Sequence, residues 1–135
     1  MSAADDARRN GDRIVDAKLD RLGRAVAFET IGRLMDATPV DIGRARGNWN
    51  LSRGAEDVST DPDRRAPAAL AQAQARVASV RMSQGDKVYL TNGLPYIGKL
   101  NDGHSRQAPA AFIQLVVQRM QSFVLRAARQ EGRRG

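Results

Sequence analysis

Val15, Leu19, Leu22 and Val26 recur at steps of four, three and four, which places all four on one face of a helix. No other feature constrains the chain as much, because a helix with an apolar face must bury that face against something. Phe28, Ile31, Leu34 and Met35 widen the stripe, so the predicted helix runs from about Asp12 to Ala37. Its opposite face interleaves Asp12, Asp16 and Asp20 with Arg13, Arg21 and Arg24, a spacing that supports a solvated surface. Gly23 and Gly32 weaken it by up to about 1 kcal/mol each, or mark where another element packs closely. Thr38-Pro39 ends it, since proline cannot donate to the ladder and pushes its predecessor out of the α region. Residues 1–10 are small and charged and are expected to fray.

Beyond a turn at Asp41-Ile42-Gly43, Arg46–Arg53 reads as a strand in which Trp49 and Leu51 alternate with Asn48, Asn50 and Ser52. Residues 54–68 hold four acids, two prolines and few apolar side chains, the composition of a mobile loop. Leu70, Ala73, Val77 and Val80 predict a helix over Ala69–Met82. Turn chemistry at 83–86 precedes a strand over Lys87–Thr91. Asn92 to Ala108 is a long connection, with a helical turn expected over Pro95–Leu100. Pro109 suits the first position of a last helix, which carries Ile113, Val116, Val117, Met120, Val124 and Ala127 and runs to about Gln130. The tail 131–135 is expected to be loose. Two strands are too few for a stable sheet, so one or two more are expected, hidden in residues 51–61 or supplied by neighbouring copies. The expected fold is a single α+β domain over 1–135, with long N- and C-terminal helices packed on a small antiparallel sheet.

Length fits this: 135 residues make one domain with one core. That core must be mostly aliphatic, because the only aromatics are Phe28, Trp49, Tyr89, Tyr96, Phe112 and Phe123. The absence of cysteine excludes disulfides, thiolate metal sites and cysteine nucleophiles. A single histidine, His104, argues against a self-contained zinc site. No apolar run approaches the roughly 20 residues a membrane span needs. The N-terminus lacks the apolar stretch of a secretory signal, so a soluble chain made in the cytosol is expected.

The net charge of +7 is almost all arginine, 19 against three lysines. Arginine pairs in a planar, bidentate way with carboxylates and phosphates alike, so nucleic acid and an acidic protein surface both stay open. Arg64, Arg65, Arg76 and Arg81 are the candidate DNA-facing stripe, with a second at Arg126, Arg129, Arg133 and Arg134. The aromatics are not interleaved with these arginines as a stacking platform requires, and no helix-turn-helix or zinc-finger spacing is visible.

Catalytic patterns fare worse. Asp102-Gly-His104-Ser105 puts acid, base and hydroxyl side by side in one loop, whereas a serine hydrolase needs them converging from separate places around an oxyanion hole. Turn chemistry accounts for these residues. Asp41, Asp57, Asp61, Asp63, Asp86 and Asp102 fall mostly in one acidic loop, not in the converging set a two-metal nuclease needs. The glycines form no phosphate-binding loop. No catalytic residue, cofactor or metal is expected.

Two strings are longer and more particular than exposed loops require. One is Thr38-Pro-Val-Asp-Ile-Gly-Arg-Ala-Arg-Gly-Asn-Trp49; the other is Val88-Tyr-Leu-Thr-Asn-Gly-Leu-Pro-Tyr-Ile-Gly-Lys-Leu-Asn-Asp-Gly-His-Ser-Arg-Gln-Ala-Pro109, of which Tyr89–Pro109 carries a family likeness. A bland account exists, in which Pro39 breaks a helix, Gly43 permits a turn and Trp49 plugs the core. In order and content, however, the pair resembles the neck and tail-completion proteins of long-tailed bacteriophages, small tail components encoded between the head–tail connectors and the major tail protein. That pattern has threonine where this chain has Ile42, and nothing in 54–82 matches it.

The resemblance implies a tail-terminator-like fold and a structural, non-enzymatic virion protein. It would be assembled in the host cytoplasm as a homo-oligomeric ring, six copies by the family's pattern, on the head-proximal end of the tail. Its partners would be the major tail (tube) protein and the head–tail connector or stopper, with DNA passing through the lumen and no membrane. Ring contacts are heterologous, so one face must complement a different one. Arg44, Arg46, Trp49, Tyr96, His104, Ser105 and Gln107 are the residues expected at subunit contacts, or bracing the loops that make them. The alternative is a basic protein whose arginines contact DNA phosphates.

Overall fold

The computed structural model describes residues 2–39, 44–102 and 111–134. Four helices and two strands follow in order: α1 Ala3–Ala37, β1 Trp49–Arg53, α2 Ala66–Val77, β2 Val88–Asn92, α3 Ile97–Asn101 and α4 Phe112–Arg134. The strands pair antiparallel, with Leu51 opposite Leu90 and Trp49 opposite Asn92. This is an α+β arrangement in which two long terminal helices pack with a small antiparallel sheet.

α1 starts earlier than its apolar stripe suggests. Ser2 and Asp5 form a reciprocal capping box, the Ser2 hydroxyl accepting from the Asp5 amide at 3.2 Å, which satisfies amides a helix start leaves open. Residues 3–10 are therefore helical rather than frayed. The C-terminal tail is corrected likewise. α4 continues to Arg134, and Glu131 accepts from Arg21 Nε at 2.9 Å, tying the end of α4 to the middle of α1. The two helices run antiparallel, with Arg33 above the Phe123 ring at 5.4 Å one turn-pair further along.

The core joins Ala27, Ile31, Leu34 and Met35 of α1 to Trp49 and Leu51, to Ala69, Ala73 and Val77 of α2 with Val80 beyond it, and to Val116 of α4. The N-terminal half of the α1 stripe lies outside it: Val15 and Leu19 are 62% and 42% exposed. Val117, expected on the inner stripe of α4, is also exposed, as is Leu70 of α2. α2 begins at Ala66, where Pro67 sits in its first turn, and stops at Val77; Val80 reaches the core from the turn that follows. Residues 54–61 contain no strand, so the sheet gains no third member there. At the start of α4, the Asn101 side chain accepts from the Ile113 amide at 3.0 Å and serves as its cap. The expected turn at Asp41-Ile42-Gly43 and the expected helix start at Pro109 lie outside the described residues.

Candidate functional site

The first string builds a braced corner where α1 ends. The last carbonyls of a helix have no partner within it and carry partial negative charge, and α1 has no basic residue in its last turn. Arg46 supplies the missing charge from outside. Its Nε donates to Thr38 O at 2.7 Å and its Nη2 to Asp36 O at 3.0 Å. Thr38 itself is fully buried: its amide donates to Leu34 O and Met35 O, its hydroxyl donates to Leu34 O at 2.6 Å, and that hydroxyl accepts from Trp49 Nε1 at 2.9 Å. Trp49 is 4% exposed. Its ring fills the core while its one polar atom fastens β1 to the helix terminus.

The alternation expected around Trp49 holds for Leu51 and fails for the asparagines. Asn48 and Asn50 are buried, and both hold the 54–65 loop. The Asn48 amide donates to Arg44 O at 2.7 Å and Asp61 O at 3.0 Å, and its oxygen accepts from the Asp61 amide at 2.7 Å. Asn50 donates to Asp57 O and Ser59 O, both at 2.9 Å. From the second string, the Thr91 hydroxyl also donates to Asp57 O. A primary amide satisfies a crossing backbone on both its donor and acceptor sides, which no apolar residue can do. The segment expected to be a mobile loop is therefore pinned across one face of the sheet.

Two glycines admit it. A Cβ at Gly47 would meet Arg64 O at 1.8 Å, and one at Gly93 would meet Val58 O at 2.0 Å. Gly47 belongs to the first string and Gly93 to the second. Asn92 joins the strings directly, its side chain donating to Ala45 O at 2.9 Å. The described parts of the two strings thus meet around the 54–65 loop.

Arginines close the free edge of β1. In this ladder the Gly54 amide donates to Lys87 O at 2.8 Å, so the carbonyls of Trp49 and Leu51 point away from β2. Arg64 donates to Gly47 O at 2.5 Å and Trp49 O at 3.3 Å, and also to Asn50 Oδ1 and Gln72 Oε1. Arg76 Nη1 donates to Leu51 O at 3.2 Å and to the Asp57 carboxylate at 2.7 Å. The Asp57 acid is held down to about 2, chiefly by the Ser59 hydroxyl, then by Arg76 and the Ser59 amide. On the other side of the fold, Asp20 accepts from the amide and hydroxyl of Ser83 at 2.9 and 3.1 Å, with Arg81 at 3.8 Å. Those hydrogen bonds, the amide foremost, lower its pKa.

Of the residues expected at a subunit contact, Arg44 is exposed at the corner, whereas Arg46 and Trp49 face inward as braces. Tyr96 is half-buried, and its hydroxyl is shielded from solvent with no hydrogen-bond partner among the described residues. His104, Ser105 and Gln107 lie outside the described residues. Of the candidate phosphate contacts, Arg65 and Arg81 are exposed, while Arg64 and Arg76 are engaged by internal acceptors. The bracing asparagines were missed in the sequence because they sit at positions a half-buried strand leaves to solvent. The signal that could have found them is Asn at alternate positions beside a proline- and aspartate-rich loop needing donors. Among the described residues no group of three or more histidine, aspartate or glutamate side chains could hold a metal ion. Nor is any helix long and apolar enough to cross a membrane. Comparison with protein families, curated proteins and solved structures finds no match to this chain.

Proposed function

We propose that this chain is a structural subunit of a virion, acting at the head–tail junction of a long-tailed phage or a related particle, where copies assemble as a ring on the head-proximal end of the tail. What supports the reading is the convergence of the two strings that carry the resemblance. They meet through Asn92 and Ala45 and clamp one loop between Gly47 and Gly93. Arg44 lies exposed beside that braced corner, and arginine is enriched among the residues that anchor interfaces. The role is non-catalytic, with the tail tube protein and the connector or stopper as partners.

Arg44→Ala tests this without disturbing the fold, because the side chain is exposed. In cells making the particle, complete tails should drop several-fold while the purified variant melts like the parent. Normal tail yield with Arg44→Ala overturns the assignment of this corner to the interface. Arg46→Ala is a different experiment: it uncaps α1 and should cost about 1.5–3 kcal/mol in the monomer. A DNA reading draws on the exposed Arg65 and Arg81, and tight binding with a steep salt dependence would favour it.

A further inference from the structure

The two edges of the sheet are treated differently. Two of the three outward carbonyls of β1, those of Trp49 and Leu51, are capped by Arg64 and Arg76. By the same ladder parity, β2 turns the N–H and C=O groups of Val88, Leu90 and Asn92 outward, and among the described residues these meet no hydrogen-bond partner. Soluble proteins usually blunt such an edge with an inward charge, a proline, a bulge or a covering element. Residues 88–92 carry no charge and no proline. Beside the edge runs an apolar groove of about 650 Å³ between α1 and β2, whose walls include Leu19, Leu22, Val26, Leu90 and Val124. Open main-chain groups next to an apolar groove form the receptor half of a strand-addition site.

We propose that the outer edge of β2 pairs antiparallel with β2 of a second copy of this chain, giving a four-stranded sheet about a two-fold axis. Centred on Leu90, that register sets Val88 opposite Asn92 of the second copy and lets the three outward residues exchange about six main-chain bonds. Val88 and Leu90 of the second copy then lie on the α1 side, where the groove accepts apolar side chains, and the arrangement is reciprocal. No like charges oppose each other, since Lys87 falls opposite Gly93 of the second copy and Asp86 opposite its Leu94. A second copy is the occupant that fits, because 88–92 is uncharged and in this register the strand is complementary to itself. This goes beyond the ring reading. An isologous pair turns its members in opposite directions, so it is the form of the free protein and opens before a one-way ring is built.

Amide hydrogen exchange on the full-length chain, read with sedimentation over a range of concentrations, tests it. A dimer is expected in which the Val88 and Leu90 amides are protected and lose that protection on dilution. The Tyr89 and Thr91 amides, bonded to β1, should stay protected in both states. Leu19→Glu, on the exposed rim of the groove, should weaken the dimer about tenfold or more with an unchanged circular dichroism spectrum. Val15→Glu, outside the groove, should not weaken it. A chain that stays monomeric, or an oligomer whose Val88 and Leu90 amides exchange freely, overturns the proposal. So does protection that appears only with another particle protein. None of these results touches the ring, which can close on the Arg44 corner with the β2 edge open.

Discussion

Asn50 shows what a single side chain does in this protein. Its amide donates to two carbonyls of the 54–65 loop and its oxygen accepts from Arg64 Nη2 at 2.6 Å, all at a site 1% exposed. Alanine there would remove the partner of Ser59 O and one of two partners each of Asp57 O, which keeps the Thr91 hydroxyl, and of Arg64 Nη2, which keeps Trp49 O. Asn50→Ala should cost about 2–3 kcal/mol, read as a fall in the denaturant midpoint. A change under about 0.5 kcal/mol would mean that water replaces the amide. Trp49 works in the same way, since its indole N–H and the Thr38 hydroxyl join strand to helix end. Both residues lie in or beside the strings that resemble phage proteins, and both have internal work sufficient to explain their presence. Among the described residues the Arg44 side chain has none of that kind, which is why it is the informative residue at the surface.

At the scale of elements, the 54–65 loop is the piece whose behaviour depends most on its surroundings. Asp57 links it to α2 through Arg76 and orders it through Ser59. Its folded pKa of about 2 lies below the ordinary 3.8, so its contribution is fully present above that ordinary value and is lost as pH falls through the folded one. Proteolysis within 54–61 should therefore accelerate between about pH 4 and pH 2, while the helical circular dichroism signal persists. Equal resistance at both ends of that window, with the chain still folded, would remove Asp57 from the latch.

The elements also show how much was legible in the sequence. The long helices were, because Ile31, Leu34 and Met35, or Val116 and Met120, repeat at helical spacing on a buried face. Their ends were not: the Ser2–Asp5 box and the Arg21–Glu131 pair carry helix into segments with no apolar pattern. The pinned loop was hidden because its order comes from Asn48, Asn50 and Arg76, which lie 7 to 19 residues from the loop atoms they hold, and from Arg64, which reaches out of the loop to the backbone of β1. Glycine stands at 47 in one string and at 93 in the other, but only the fold shows that both make room for the same loop.

The whole molecule is a small braced body with surfaces it does not use itself. Among the described residues the outer half of the α1 stripe, Val117 and Leu125 of α4, the groove and the β2 edge are apolar or open, the kind of surface on which contact with another molecule is looked for. Charge divides similarly. Residues 64–107 hold seven basic groups against two acidic, and 108–135 hold five against one, while 36–63 is acidic on balance. Two of the most conspicuous arginines, Arg64 and Arg76, close the sheet edge and bind the loop, so part of the charge excess is structural. Under the proposed role, the remainder would meet other copies or DNA passing close by.

Electron microscopy of particles made by cells carrying this gene with its neighbours, using gold-labelled antibody to this chain, tests the central claim most directly. The label should sit at the head-proximal end of the tail and be lost from particles when Arg44 is changed to Glu. Particles that form normally and carry no label, although the chain is made in the same cells, would contradict it.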